Sequence, residues 1–237
     1  MHFKKYLAGL VCLFCIGAIF LHGGIRTDEE IPITTQRLSP RVLVLSETVM
    51  GNNVTAVASE RGIVVFDTTG LPSTAAKMRR IIEQEFGRTD FAYVINTHSH
   101  WDHSFGNQIF PEAVIIGHKS VPAGMARDKD NIPQRLENLA GIKTRETARL
   151  QDVELDSEEA QNIQGFLGSI DRQIRDFRDE FVSTPPDITF SDRMTLDRGD
   201  LTLELDYFAP DDLPPMQTCC QVKARDALES QRAAFYR

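Results

Sequence analysis

Seven residues, Thr97-His98-Ser99-His100-Trp101-Asp102-His103, constrain this chain more than any other part of it. They follow a short apolar run, Phe91 to Asn96, that reads as a buried strand. Three imidazoles and one carboxylate fall within six residues, although the whole chain of 237 residues holds only 6 His. Imidazole and carboxylate together suit zinc and related first-row metals. Alternation at a strand end sends His98 and His100 to one side and Ser99 to the other. Asp102 and His103 then lie in the turn beyond, free to face a second metal. The alternative is a polar loop that happens to be rich in His. The gathering of so many of the chain's histidines in one turn argues against it.

The flanking sequence reads as an α/β pattern. Val42 to Leu45 and Asn53 to Ala58 look like short strands, and Gly62 to Asp67 like a buried one. Pro72 and Ser73 open a helix with Met78, Ile81, Ile82 and Phe86 on its apolar face, and Gly87 ends it. The strand Phe91 to Ile95 delivers the His run, and Val114 to Gly117 forms another strand ending at His118. From about Lys119 to Pro186 a helical insert interrupts the pattern. Asp156 is placed to cap a helix, with Glu159 three residues later. Ile163, Phe166, Leu167, Ile170, Ile174, Phe177 and Phe181 then recur at helical spacing until Pro185-Pro186. The insert reads as a packed surface helix pair, with a lid over a site as the alternative. Strands resume at Thr189-Phe190, Arg193 to Leu196 and Leu201 to Phe208. Beyond Pro210 the tail shows one weakly helical segment and no strand pattern.

The spacing His-x-His-x-Asp-His resembles the metal motif of the metallo-β-lactamase fold superfamily. The resemblance covers roughly Val42 to Phe208. It rests on Gly62-Ile-Val-Val-Phe-Asp67-Thr68, on Asn96 to His103, on Gly106-Asn107, and on Val114-Ile-Ile-Gly-His118. It implies an αβ/βα sandwich, here with the first half complete, the second half partial, and the helical insert at about 119–186. It implies hydrolysis by a water that zinc activates. It implies His98 and His100 on a first zinc, Asp102 and His103 on a second, and Asp102 also handling protons. By the same resemblance Asp67 supports the site from behind. His118 reads as a surface or hydrogen-bonded histidine rather than a ligand.

The second half departs from the family. Where a Gly-x-x-His-type loop should follow the strand Leu201 to Phe208, the chain reads Ala209-Pro210-Asp211-Asp212-Leu213-Pro214, and no His occurs after His118. The later strands of the second sheet have no counterpart in the pattern. Residues 209–237 are therefore expected to be a divergent tail, and the sheet they leave uncovered to favour self-association. Two imidazoles leave a first zinc short of the three protein ligands that catalytic zinc usually has. Asp211, Asp212, Cys219 and Cys220 are the remaining donors. The chain is thus expected to be a zinc-dependent hydrolase of low competence, an inactive truncated remnant that binds metal weakly, or an interaction module using the insert.

Lys4 and Lys5 precede an uncharged apolar run, Leu7 to Leu21, as in a secretory signal peptide covering residues 1–24. The alternative is an uncleaved membrane anchor through residues 7–21. Either places residues 40–208, the main domain, in the periplasm or outside the cell. Loss of Lys4 and Lys5 takes the formal net charge from −8 to −10, which disfavours nucleic acid, and the family resemblance implies a small-molecule substrate. Cys219 and Cys220 are adjacent, a strained geometry for a mutual disulfide, so a disulfide-stapled scaffold is excluded.

Overall fold

The computed structural model describes residues 32–47, 51–208, 219–226 and 233–235. The segment read as a signal or anchor lies outside them. Among the described residues eleven strands form two sheets: a 7-stranded sheet in the order β1 to β7 and a 4-stranded sheet in the order β11-β10-β9-β8. The larger sheet opens as an antiparallel meander, β1 (Ile33–Ser39), β2 (Val42–Glu47), β3 (Asn53–Ser59) and β4 (Gly62–Phe66). It continues in parallel through β5 (Phe91–Asn96), β6 (Val114–His118) and β7 (Ile188–Phe190). Strand β1 has no signature in the sequence. Five of its seven residues are exposed, so it lacks the apolar alternation that marks a strand.

Strand β4 is buried on both faces, and its residues divide between two cores. Val64 and Phe66 join Ile95, Ile116, Leu196, Leu203 and Leu205 between the sheets. Ile63 and Val65 join Met78, Ile82, Phe91 and Phe110 on the opposite face, beneath helix α1 (Pro72–Phe86). Pro stands at the start of α1 and a left-handed Gly87 at its end, as the sequence predicts.

The second sheet comprises β8 (Arg193–Asp197), β9 (Leu201–Phe208), β10 (Cys219–Asp226) and β11 (Ala233–Phe235). Here the reading of the tail is corrected. β10 pairs antiparallel with all eight residues of β9, from Cys219 opposite Phe208 to Asp226 opposite Leu201. The larger sheet is thus faced by a second one. Leu201, Leu203 and Leu205 are buried against it.

The insert contains α3 (Val121–Asp130), α4 (Ile132–Gln151), α5 (Glu158–Arg175) and a π-helical turn, Asp176–Glu180. α4 and α5 pack side by side, as the apolar stripe implies. Ser157, not Asp156, caps α5, accepting a hydrogen bond from the Ala160 amide at 3.1 Å. The insert is tied to the body at α1. Leu71 supplies no side-chain cap there. Instead Asp176, fully buried, takes a hydrogen bond from the Ser73 hydroxyl at 2.5 Å. Burial pushes the Asp176 carboxyl up to about 6, against the opposing effect of the Ser73 hydrogen bond.

Candidate metal centre

Parallel strands β4 and β5 end side by side, and the site forms where their chains turn away. After β4, Asp67 and Thr69 take positive φ angles of 58° and 64°. That region is unfavourable for any residue with a Cβ and most of all for a β-branched one. The strained loop is held by the short helix α2 (Trp101–Ser104) and the turn after it. The Thr68 amide donates to the His103 carbonyl at 2.9 Å and the Gly106 amide to the Thr69 carbonyl at 3.0 Å. A Cβ on Gly106 would strike the Thr68 carbonyl oxygen, and one on Gly70 the Trp101 ring. Glycine is required at both by this close approach.

Asp67 is the centre of the network. Its Oδ1 accepts the Thr97 amide at 2.8 Å. Its Oδ2 accepts the Thr97 hydroxyl at 2.7 Å and His103 Nδ1 at 2.9 Å. A carboxylate can only accept, so His103 in its neutral form carries its proton on Nδ1 and leaves the lone pair on Nε2. The Thr97 hydroxyl spends its hydrogen on Asp67, so its oxygen accepts from His98 Nδ1 at 2.9 Å. Nε2 of His98 is freed in the same way. One buried carboxylate thereby sets both imidazole tautomers.

The rings lie close: His98 and His103 centroids are 4.0 Å apart, and His98 and His100 4.8 Å. His103 Nε2 stands 3.6 Å from Asp102 Oδ2. The Asp102 backbone carbonyl is fixed by the Asn52 side-chain amide at 3.0 Å. Among the described residues, Asp67, His98 and His103 offer ligand atoms within 4.8 Å of one another. Imidazole and carboxylate donors gathered in this way suit a metal ion. Asp67 accepts three hydrogen bonds there, two from Thr97 and one from His103. Of the four residues expected to be ligands, His98 and His103 fall in that group and His100 and Asp102 do not.

Burial, followed by the charge of His103, depresses His98 to a pKa of about 4, so its ring is neutral near pH 7 and ready to ligate. Burial also opposes charge on His103. The hydrogen bond to Asp67 and the charges of Asp67 and Asp102 outweigh it, and the net shift is upward. His118 lies apart. It is buried, stacked on Tyr207 at 3.6 Å, and bonded through Nδ1 to the Ser120 hydroxyl at 2.8 Å.

Two residues of the site have no role in the motif pattern alone. Asn96 and Asn107 exchange two amide hydrogen bonds of 2.9 Å and are both buried. Asn107 also accepts from the Thr68 hydroxyl at 2.9 Å. The available signal is a polar residue ending an otherwise apolar strand. Such a residue, once buried, needs a partner.

A two-sheet sandwich with histidines gathered at the ends of parallel strands defines a metal-site fold of the hydrolase type. The chain belongs to the metallo-beta-lactamase superfamily, whose sequence profile matches residues 48–201, well over half of its length. It is 30% identical over 114 residues to the 2,4-dinitroanisole O-demethylase subunit alpha of Nocardioides sp. (strain JS1661). That match takes in 47% of this chain and 34% of the relative. Among solved structures, a HARLDQ-motif mutant of the metallo-beta-lactamase from Cronobacter sakazakii superposes with a TM-score of 0.54 at 19% identity. The match covers 86% of this chain and 64% of that one. The HARLDQ-motif metallo-beta-lactamase of the same organism gives 0.51 at 19% identity, over 84% and 60%. The chain thus spans about a third of the curated relative and less than two thirds of these structures. The structural likeness concerns the fold.

Proposed function

We propose that the chain is an exported, zinc-dependent hydrolase acting on a small molecule, with low turnover as it stands. The observation that carries this reading is the Asp67 network, which frees Nε2 of both His98 and His103 beside Asp102. A bound zinc ion would polarise the bond under attack and make water nucleophilic at neutral pH. His98, His100, Asp102 and His103 would hold it. Asp67 and Thr97 fix the imidazoles, so little reorganisation accompanies binding. Asp102, whose backbone carbonyl is held by Asn52, would take up a proton from the attacking water.

Low turnover rests on the ligand count. The loop after Phe208 reads Ala209-Pro210-Asp211-Asp212 where the family pattern places a His, and catalytic zinc ordinarily needs three protein ligands with a fixed open position. The export reading rests on Lys4-Lys5 and residues 7–21. Among the described residues no helix is long and apolar enough to cross a membrane, and that segment lies outside them.

Zinc content and turnover test the proposal together. The substrates are a lactam, a thioester, a phosphodiester and 2,4-dinitroanisole, the last because the Nocardioides relative is a subunit of a 2,4-dinitroanisole O-demethylase. The expected result is slow, chelator-sensitive turnover of at least one of them, abolished by Asp102→Ala. Zinc content unchanged in the His98→Ala/His103→Ala double variant would overturn the site.

A further inference from the structure

Trp101 lies in sequence between His100 and Asp102, yet its side chain faces the insert. The guanidinium of Arg135, on α4, sits over the ring at 4.0 Å from its centroid. Phe177, in the π-helical turn, meets the ring edge-on at 5.3 Å. Asp128, on α3, takes the Trp101 backbone amide at 2.7 Å. On the other side the ring lies so close to Gly70 that a Cβ there would collide with it. Three segments of the insert therefore grip one residue of the metal turn and press it onto the strained loop that carries Asp67.

Several features single this contact out from ordinary packing. Arg135 Nε is buried with no hydrogen-bond partner, so the guanidinium is committed to the ring and to the charges of Asp128 and Asp102. Trp101 begins α2, and His100 supplies no side-chain cap for it. Asp128 supplies the acceptor instead, from outside the motif. Trp101 also adjoins both His100 and Asp102, so any rotation of its backbone redirects two ligands at once.

From this geometry we infer that Trp101 is a positioning residue for the metal turn, and that the helical insert, through Arg135, Asp128 and Phe177, sets how firmly His100 and Asp102 face the metal. The inference rests on the metal-centre reading of the site. On it the insert is a brace behind the ligands rather than a lid in front of them.

Cobalt(II) titration of the full chain, read by visible absorption, tests it. Trp101→Ala and Arg135→Gln should bind cobalt at least about tenfold more weakly, as losses of ligand-supporting groups do, and with an altered spectrum. Trp101→Phe should recover much of the loss. Ile163→Ala, which thins the buried face of α5 away from Trp101, is the control. It should lower the melting temperature and leave the cobalt spectrum unchanged. Wild-type affinity and spectrum in both Trp101→Ala and Arg135→Gln would overturn the inference.

Amide hydrogen exchange separates this inference from the metal reading. Should the wild-type chain bind no cobalt, the metal reading fails, and exchange at the His103 and Thr68 amides decides the brace alone. Those amides close the turn onto His100 and onto the Asp67 loop. Faster exchange there in Arg135→Gln and Trp101→Ala, but not in Ile163→Ala, supports the brace, and equal rates in all three defeat it.

Discussion

Nδ1 of His103 donates to Oδ2 of Asp67 at 2.9 Å, and that bond decides which ring nitrogen of His103 is left for a metal. Asp67 also holds Thr97 twice, and Thr97 in turn holds His98. The carboxylate is buried, on a residue with positive φ, so both strain and desolvation are accepted to place it.

Replacing Asp67 by Ala should therefore weaken zinc binding by roughly ten- to a hundredfold without touching the ligating nitrogens. Isothermal titration with zinc gives the affinity directly. An unchanged affinity would show that the ring orientations are set elsewhere.

The same bond fixes a pH dependence. His103 is raised above its ordinary value, so the fold favours its charged form. Its contribution to stability is full below the unfolded value of about 6.5 and is lost as pH rises through the higher folded value. The proton competes with the metal for Nε2, so apparent zinc affinity should rise over that same interval. NMR titration of the His103 ring in metal-free protein should show the raised value in wild type. In Asp67→Ala it should fall.

Asp176 works in the opposite sense to an ordinary surface carboxylate. Its folded value of about 6 exceeds the unfolded value of about 3.9, so between the two the folded chain binds more protons. Stability should fall as pH rises from about 4 to about 6, by about 2 kcal/mol. Asp176→Asn should flatten that interval in urea melts while keeping an acceptor for Ser73. A slope equal to wild type in the variant would place the titration elsewhere.

Much of this is legible in the sequence because the relevant signals are local. The strand-helix-strand run from Gly62 to Ile95 has clear periodicity, and the His run is a compact motif. Asp67 is recognisable as a supporting residue. Its grip on Thr97 and on both histidines is not, since it depends on β4 and β5 ending side by side. The helix α4 carries Ile132, Leu136, Leu139 and Ile142 at helical spacing, the same signal that exposes α5, but diluted by many polar neighbours. β10 escapes the pattern for a different reason. Cys219-Cys-Gln-Val-Lys-Ala-Arg-Asp226 alternates only weakly and holds one large aliphatic residue. It is a strand because β9 offers a partner edge, which no local pattern reveals.

Gly106→Ala tests the close approach between the metal turn and the Asp67 loop. The added methyl would meet the Thr68 carbonyl oxygen, which is backbone, and the Ala75 Cβ at 2.6 Å, which is packed on α1. Neither can give way cheaply, so a loss of about 3 kcal/mol or more is expected from overpacking. Thr68 also holds His103 through its amide, so metal affinity should fall with stability. A variant as stable as wild type in urea would mean that the loop moves freely.

The tail gives the last prediction. β10 pairs with the full length of β9, and Lys223 reaches Asp206 at 2.9 Å across the pair. Asp206 is also held by Arg193 of β8 at 2.5 Å, so one carboxylate links three neighbouring strands. An exposed ion pair of this kind contributes little by itself. The weight lies in the backbone ladder. A chain ending at Phe208 would turn β9 into a bare edge of eight residues, a template for pairing with another molecule. It should melt at least about 5 °C lower than the full chain and elute as a concentration-dependent oligomer in size-exclusion chromatography. A synthetic peptide spanning residues 216–237, supplied during refolding, should restore part of the loss by adding the missing strand. If the shortened chain stays monomeric with an unchanged melting temperature, β10 contributes nothing to the sandwich and the tail is an appendage after all.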